Sequence, residues 1–151
     1  KNIDAMSQSE PQSSQAINRG FGVELIKPYD TPLGEPVRAL VMTEQMYTQK
    51  RDVAERVLKL FVEATKTFID NPKLAEKYVR ETMFKNQLSA EDYQDAMSNA
   101  AFTYDITLDH VQVTADMMKK YGIGKMANPP VAKDWVRLDL LEKAKKELKV
   151  Q

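Results

Sequence analysis

Glu10 is the acidic side chain whose setting most invites a binding role. It stands next to Pro11 and follows Ser7, Gln8 and Ser9, where the apolar run Ile3 to Met6 gives way to helix-start chemistry. In an α/β protein, ligands bind beside the carboxyl ends of strands and the adjoining helix N-termini, because backbone N–H groups point outward there. The same Ser9 and Glu10 would also cap a helix, and spacing by itself favours the cap. His110 is the only histidine, beside Asp109, with no nucleophile or ligand partner at an interpretable spacing. Asp105 and Asp109 lie four apart but straddle a helix start, whereas a paired-carboxylate site needs two acids held across a cleft. No acid/base pair emerges, no catalytic residue is assigned, and the chain is read as no enzyme.

Composition narrows the chemistry further. The 151 residues carry 22 basic and 22 acidic side chains and no cysteine. Neutralising phosphates requires a clustered excess of Lys and Arg, so nucleic acid is not an expected partner. Without thiols there is no disulfide, zinc-thiolate centre or cysteine nucleophile, and one histidine makes no His-rich metal site. No metal and no cofactor is expected. The methionines at 42, 46, 83, 97, 117, 118 and 126 fall mainly on apolar stripes, where they read as adaptable core filler. Lys143, Lys145, Lys146 and Lys149 give the last helix a basic face, diluted by Glu142 and Glu147 into a solvated surface.

The elements that would position these residues divide into a front third and a helical remainder. Ile3 to Met6, Phe21 to Ile26 and Val37 to Met42 read as two or three short strands. A helix through Gln15, Ala16 and Ile17 stops at Gly20 and Gly22, where a left-handed cap costs least. Lys27 to Pro36 holds three prolines, a glycine, Asp30 and Thr31, an extended connector. Beyond Thr43, Val53, Val57, Leu60, Phe61, Ala64, Phe68 and Ile69 recur at spacings of three and four, a wide stripe expected to face a core. Asn71-Pro72 ends that helix and starts the next. Ser89 with Asp92, and Thr107, mark two more starts, Phe102 to Ile106 is a candidate extended stretch, and Trp135 to Leu148 is a final helix that Trp135 would anchor. So few strands make a narrow sheet with exposed edges. The missing strands are expected before Lys1 or in a partner chain, and a homodimer through those edges is one way to supply them.

Taken in order, these segments resemble a known family. Ile3-Asp4-Ala5-Met6, then Ser9-Glu10-Pro11 and a helix to Gly20, is similar to a segment of the nitrate, taurine and aliphatic-sulfonate type of ABC-transporter substrate-binding protein. So are Asp30-Thr31-Pro32-Leu33-Gly34, Val37-Arg38-Ala39-Leu40-Val41, Phe68-Ile69-Asp70-Asn71-Pro72, and the stretch from Tyr121-Gly122-Ile123-Gly124 through Asp134-Trp135-Val136 to Leu140-Leu141-Glu142-Lys143-Ala144. The resemblance implies an α/β fold: the helix-rich C-terminal part of a bilobed (type II) periplasmic binding protein. Residues 1–29 would end the second lobe, 30–36 form a return hinge, and 37–151 complete the first lobe, the N-terminal half lying outside this sequence. It implies a periplasmic or extracytoplasmic solute-binding component of an importer, lipid-anchored in a Gram-positive cell, that closes about a hinge on a small organic ligand and meets a membrane permease. Glu10, with Ser9 and Gln12, would face the ligand. Ser9 stands where many members carry an aromatic residue, which points away from a small inorganic anion or sulfonate toward a different or larger ligand. An enzyme of thiamin-pyrimidine synthesis on the same fold and a homodimerising helical module are the alternatives.

Overall fold

In a computed structural model of the chain, residues 3–25 and 39–150 are described. The helices run in the order α1 (Gln12–Asn18), α2 (Glu44–Gln49), α3 (Arg51–Asp70), α4 (Pro72–Lys77), a π-helix (Tyr78–Met83), α5 (Ala90–Asn99), α6 (Leu108–Lys120), a 3-10 turn (Ile123–Lys125), α7 (Ala132–Trp135) and α8 (Asp139–Leu148). Among the described residues there is no strand, which overturns the α/β expectation. Ile3 to Met6, Phe21 to Leu25 and Ala39 to Met42 carry the alternating or continuous apolar pattern of strands, but a strand exists only through its ladder partner, and they find none among the described residues. Their apolar side chains accordingly stand in solvent, Val23 and Leu25 at 82% exposure and Val41 at 84%. Phe102 to Ile106 also forms no ladder. Ile26, Val37, Arg38 and the 30–36 connector lie outside the described residues. No described helix is long and apolar enough to cross a membrane.

Helix boundaries follow local chemistry. Thr43, Ser89 and Thr107 each accept a hydrogen bond on the side-chain oxygen from the backbone N–H three residues on, at 3.1, 3.0 and 3.2 Å, satisfying one orphan donor of α2, α5 and α6. Asn71 stands before Pro72 with extended φ −129°, since the proline ring crowds a helical residue ahead of it. Pro72 then starts α4, where its missing N–H costs nothing. Gly122 closes α6 at φ +70°.

Contacts group the chain into two units, residues 1–27 with 65–103 and residues 28–64 with 104–151. In the first, α1 packs on α5 around Ala16, Leu88, Tyr93 and Ala96, all buried. Phe68 meets Tyr78 and Phe102 at ring-centroid distances of 5.6 and 5.4 Å. Arg80, on the π-helix, donates from Nε to the Leu88 carbonyl and from Nη1 to Glu76, while Glu76 also accepts from Gln94. One guanidinium thereby ties the widened helical turn to the start of α5.

In the second unit, Val62, Leu141 and Ala144 form a buried cluster with Leu58, Tyr104, Ile106, Leu148 and Val150 packed on it. Three ion pairs join α3 to α8: Arg51 with Asp139, Glu55 with Lys143 and Lys59 with Glu147. Gln112 on α6 accepts from the Ala132 N–H at 2.7 Å and donates to the Pro130 carbonyl, seating α7. The expected single helix from Trp135 is divided, because Val136 turns to an extended conformation between α7 and α8. Trp135 is 53% exposed, so it is not the buried anchor expected.

The α3 stripe also needs correction. Ala54, Val62 and Thr65 are the buried residues of α3, whereas Val57, Leu60 and Phe61 are exposed. Of the stripe, Phe68 packs against Tyr78 and Phe102, while Val57, Leu60 and Phe61 stand exposed beside the covered Leu58 and Val62. Replacing Val62 with Ala removes two fully buried carbon atoms and is expected to cost about 2 kcal/mol. Leu60→Ala, at a position 64% exposed, is expected to stay within about 0.5 kcal/mol of the parent. Urea denaturation of the two variants checks the assignment; the reverse ranking would contradict it.

Candidate functional site

The Glu10 carboxylate is held by its own chain. Oε2 accepts from the Ser14 N–H at 3.1 Å and from the Ser14 hydroxyl at 2.8 Å, and Oε1 accepts from Asn99 Nδ2 at 3.0 Å. Ser14 is buried and Glu10 half-buried. The arrangement stitches the first turn of α1 to the last residue of α5. The acid therefore does the capping work that spacing favours, and it does so from the residue before Pro11, which itself occupies the N-cap position without a side-chain bond. A carboxylate offers about four lone-pair directions. Three hydrogen bonds leave room for one more donor, on Oε1.

Ser9 and Gln12, the other two sequence candidates, flank Glu10. Ser9 is half-buried, its N–H donating to Gln8 Oε1 at 3.1 Å and its carbonyl accepting from the Ser13 N–H. Gln12, the first residue of α1, is exposed. The structure thus keeps the three together at one helix start and adds Asn99, 89 residues away in the chain.

A second polar cluster lies along the same pair of helices. Asn18, the last residue of α1, donates both amide hydrogens of Nδ2, to Asp92 Oδ1 at 3.0 Å and to Asp95 Oδ2 at 2.8 Å. Asp92 is 5% exposed. Burial alone would push its carboxyl up, but hydrogen bonds from Asn18, Ser89 and Gln15 and the nearby charge of Arg19 together hold it below the ordinary carboxylate range. No spacing in the sequence announces Asn18, Asp92, Asp95 or Asn99. Ser89 and Asp92 are legible only as a helix start.

Of the remaining candidates, Asp105 is ion-paired and His110 lies in the first turn of α6. Asp105 pairs with Lys145 at 2.7 Å, and that bond, more than the opposing effect of burial, raises the lysine's pKa. The His110 N–H is taken by Thr107 and its carbonyl accepts from Thr114. Among the described residues no three His, Asp or Glu stand together where they could hold a metal. A shallow groove of about 400 Å³ runs beside α3 and α8 over Leu140 and Ala144. Its rim charges are already paired with one another, Arg56 with Asp52 as well as the α3–α8 pairs, so it presents little unsatisfied chemistry to a ligand.

The chain belongs to the NMT1-like family, which matches residues 1–82. This supports the resemblance to nitrate- and taurine-type binding proteins in broad terms. No curated protein and no solved structure matches the chain. The matched stretch contains Ser9, Glu10 and Gln12, while Asn99, Asp92 and Asp95 lie beyond it.

Two outcomes test the clusters. Because the Asp92 pKa is depressed in the folded state, the stabilisation it brings is complete above the ordinary carboxylate range and disappears as pH falls through its depressed value. Asp92→Asn, measured by urea denaturation across pH, should therefore lose stability near neutrality and approach the parent in acid; a gap constant with pH would contradict the assignment. Asn18→Ala leaves two carboxylates without their shared donor and should cost about 1–3 kcal/mol at neutral pH, read by thermal unfolding, with an unchanged midpoint as the contrary result.

Proposed function

We propose that this chain is part of the solute-binding component of an ABC importer, acting outside the cytoplasm and passing a small organic ligand to a membrane permease. The observation that carries the reading is the NMT1-like match over residues 1–82, which spans the Glu10 segment. In this reading Glu10 faces the ligand with Ser9 and Gln12 beside it, and no residue acts as a catalyst. The Ser14 and Asn99 hydrogen bonds support that role, since they hold the carboxylate in one orientation before any ligand arrives and so reduce the ordering cost of binding. An acceptor with a vacant lone pair favours a ligand group that donates hydrogen bonds, such as an ammonium, amide or hydroxyl. Capture completes by hinge closure, in which a ligand with higher affinity for the closed form shifts the population toward it.

The test is thermal unfolding of the chain with taurine, ethanolamine and nitrate as probes. At a hundredfold excess over Kd a bound ligand stabilises by about 2.7 kcal/mol, a rise in Tm of about 5–10 °C for a chain of this size. One of the two amine-bearing probes is expected to give such a rise, and Glu10→Gln to remove it. A rise that survives Glu10→Gln, or no rise with either amine, contradicts the proposal.

A further inference from the structure

The ion pairs between α3 and α8 share one property beyond their sign. Arg51–Asp139, Glu55–Lys143 and Lys59–Glu147 are each separated by 88 residues. A constant separation means that the two helices run in the same direction in a single register. Each rung also advances by four residues on both helices, close to one turn. The signs alternate: positive, negative, positive along α3, and the complement along α8. Tyr47 reinforces the first rung, donating its hydroxyl to Asp139 at 2.9 Å while Arg51 lies over its ring at 4.9 Å.

We infer that this ladder is a register lock, admitting the observed alignment of α3 and α8 and forbidding a slide of one turn in either direction. A slide by one residue is excluded by helix geometry alone, since it rotates the facing side chains away from each other. One turn, about 5.4 Å, is the smallest slide that keeps the same faces together. Moved one way, it sets Arg51 against Lys143 and Glu55 against Glu147. Moved the other way, Glu55 meets Asp139 and Lys59 meets Lys143. Every rung becomes a like-charge contact. Exposed pairs of this kind, Arg51 and Asp139 being 43% and 45% exposed, contribute little to stability one at a time. Their effect lies in the contrast between registers, where attraction at each rung is exchanged for repulsion, as charged flanking positions do in coiled coils. Tyr47, facing the first rung from α2 and bonded to Asp139 on α8, favours the same alignment, whereas the Arg51–Glu55 contact at 3.6 Å lies within α3 and is the same in every register.

The inference makes an asymmetric prediction. Reversing α3 alone, as R51E/E55K/K59E, creates three like-charge rungs in the native register but two opposite-charge rungs after a one-turn slide. The chain has no cysteine, so spin labels on Glu63→Cys and Glu142→Cys report only the α3–α8 register, from positions well separated along the helix axes. Their distance is expected to change by up to about 5 Å in the α3-reversed chain and to return when D139K/K143E/E147K is added. If the α3-reversed chain fails to fold, recovery of the native distance in the sixfold variant supports the lock. A native distance in the α3-reversed chain, or no recovery in the sixfold variant, overturns it.

Discussion

The constraint that shapes the described chain is that its buried apolar positions are small. Seven of the twelve are alanine, and the largest side chains buried almost completely are Leu88 and Val62. An alanine lets helices approach but removes little apolar area from water, so apolar burial by itself specifies few long-range alignments. Polar contacts over long sequence separations supply that specification. Asn18 and Glu10 fix α1 on α5 through Asp92, Asp95 and Asn99. Arg51, Glu55 and Lys59 fix α3 against α8, and Gln112 seats α7 on α6. Such contacts discriminate among arrangements more than they add to the free energy of folding.

This division of labour explains the double character of α3. Its covered residues Leu58 and Val62 pack in the cluster with Leu141 and Ala144 of α8, with charges at the margin. The adjacent face with Val57, Leu60 and Phe61 is just as apolar in sequence and stands exposed. Periodicity reports that a helix is amphipathic, but apolar residues on neighbouring faces merge into one wide stripe. Which of them is covered depends on where α8 lies, and that is set by charges 88 residues away.

Local signals were therefore legible and distant ones were not. The caps at Thr43, Ser89 and Thr107, the break at Asn71-Pro72 and the left-handed Gly122 each act within four residues, and a sequence displays them directly. The segments at 3–6, 21–25 and 39–42 have strand-like composition, but pairing is a property of two segments, and among the described residues no second one is present. Trp135 shows the same limit: its apolar bulk suggested an anchor, while the bend at Val136 leaves it exposed. Glu10 was recognisable from its neighbours, and a capping role from its place with Ser9 at a helix start beside Pro11; its partner Ser14 came only with the structure. Asn99, which supplies its third hydrogen bond, had no sequence mark.

The NMT1-like match at the front of the chain contains one acceptor held in a fixed orientation at the start of α1. A carboxylate already bound by Ser14 and Asn99 is oriented and partly satisfied; in the proposed role it would select a donor in one direction. The most direct measurement is a titration of the isotopically labelled chain with ethanolamine or taurine, followed through its amide NMR signals. With the ligand at Glu10, the shifts are expected to concentrate at residues 9–18 and on the side-chain amide of Asn99. Shifts confined to the groove beside α3 and α8, or absent throughout, would contradict that placement.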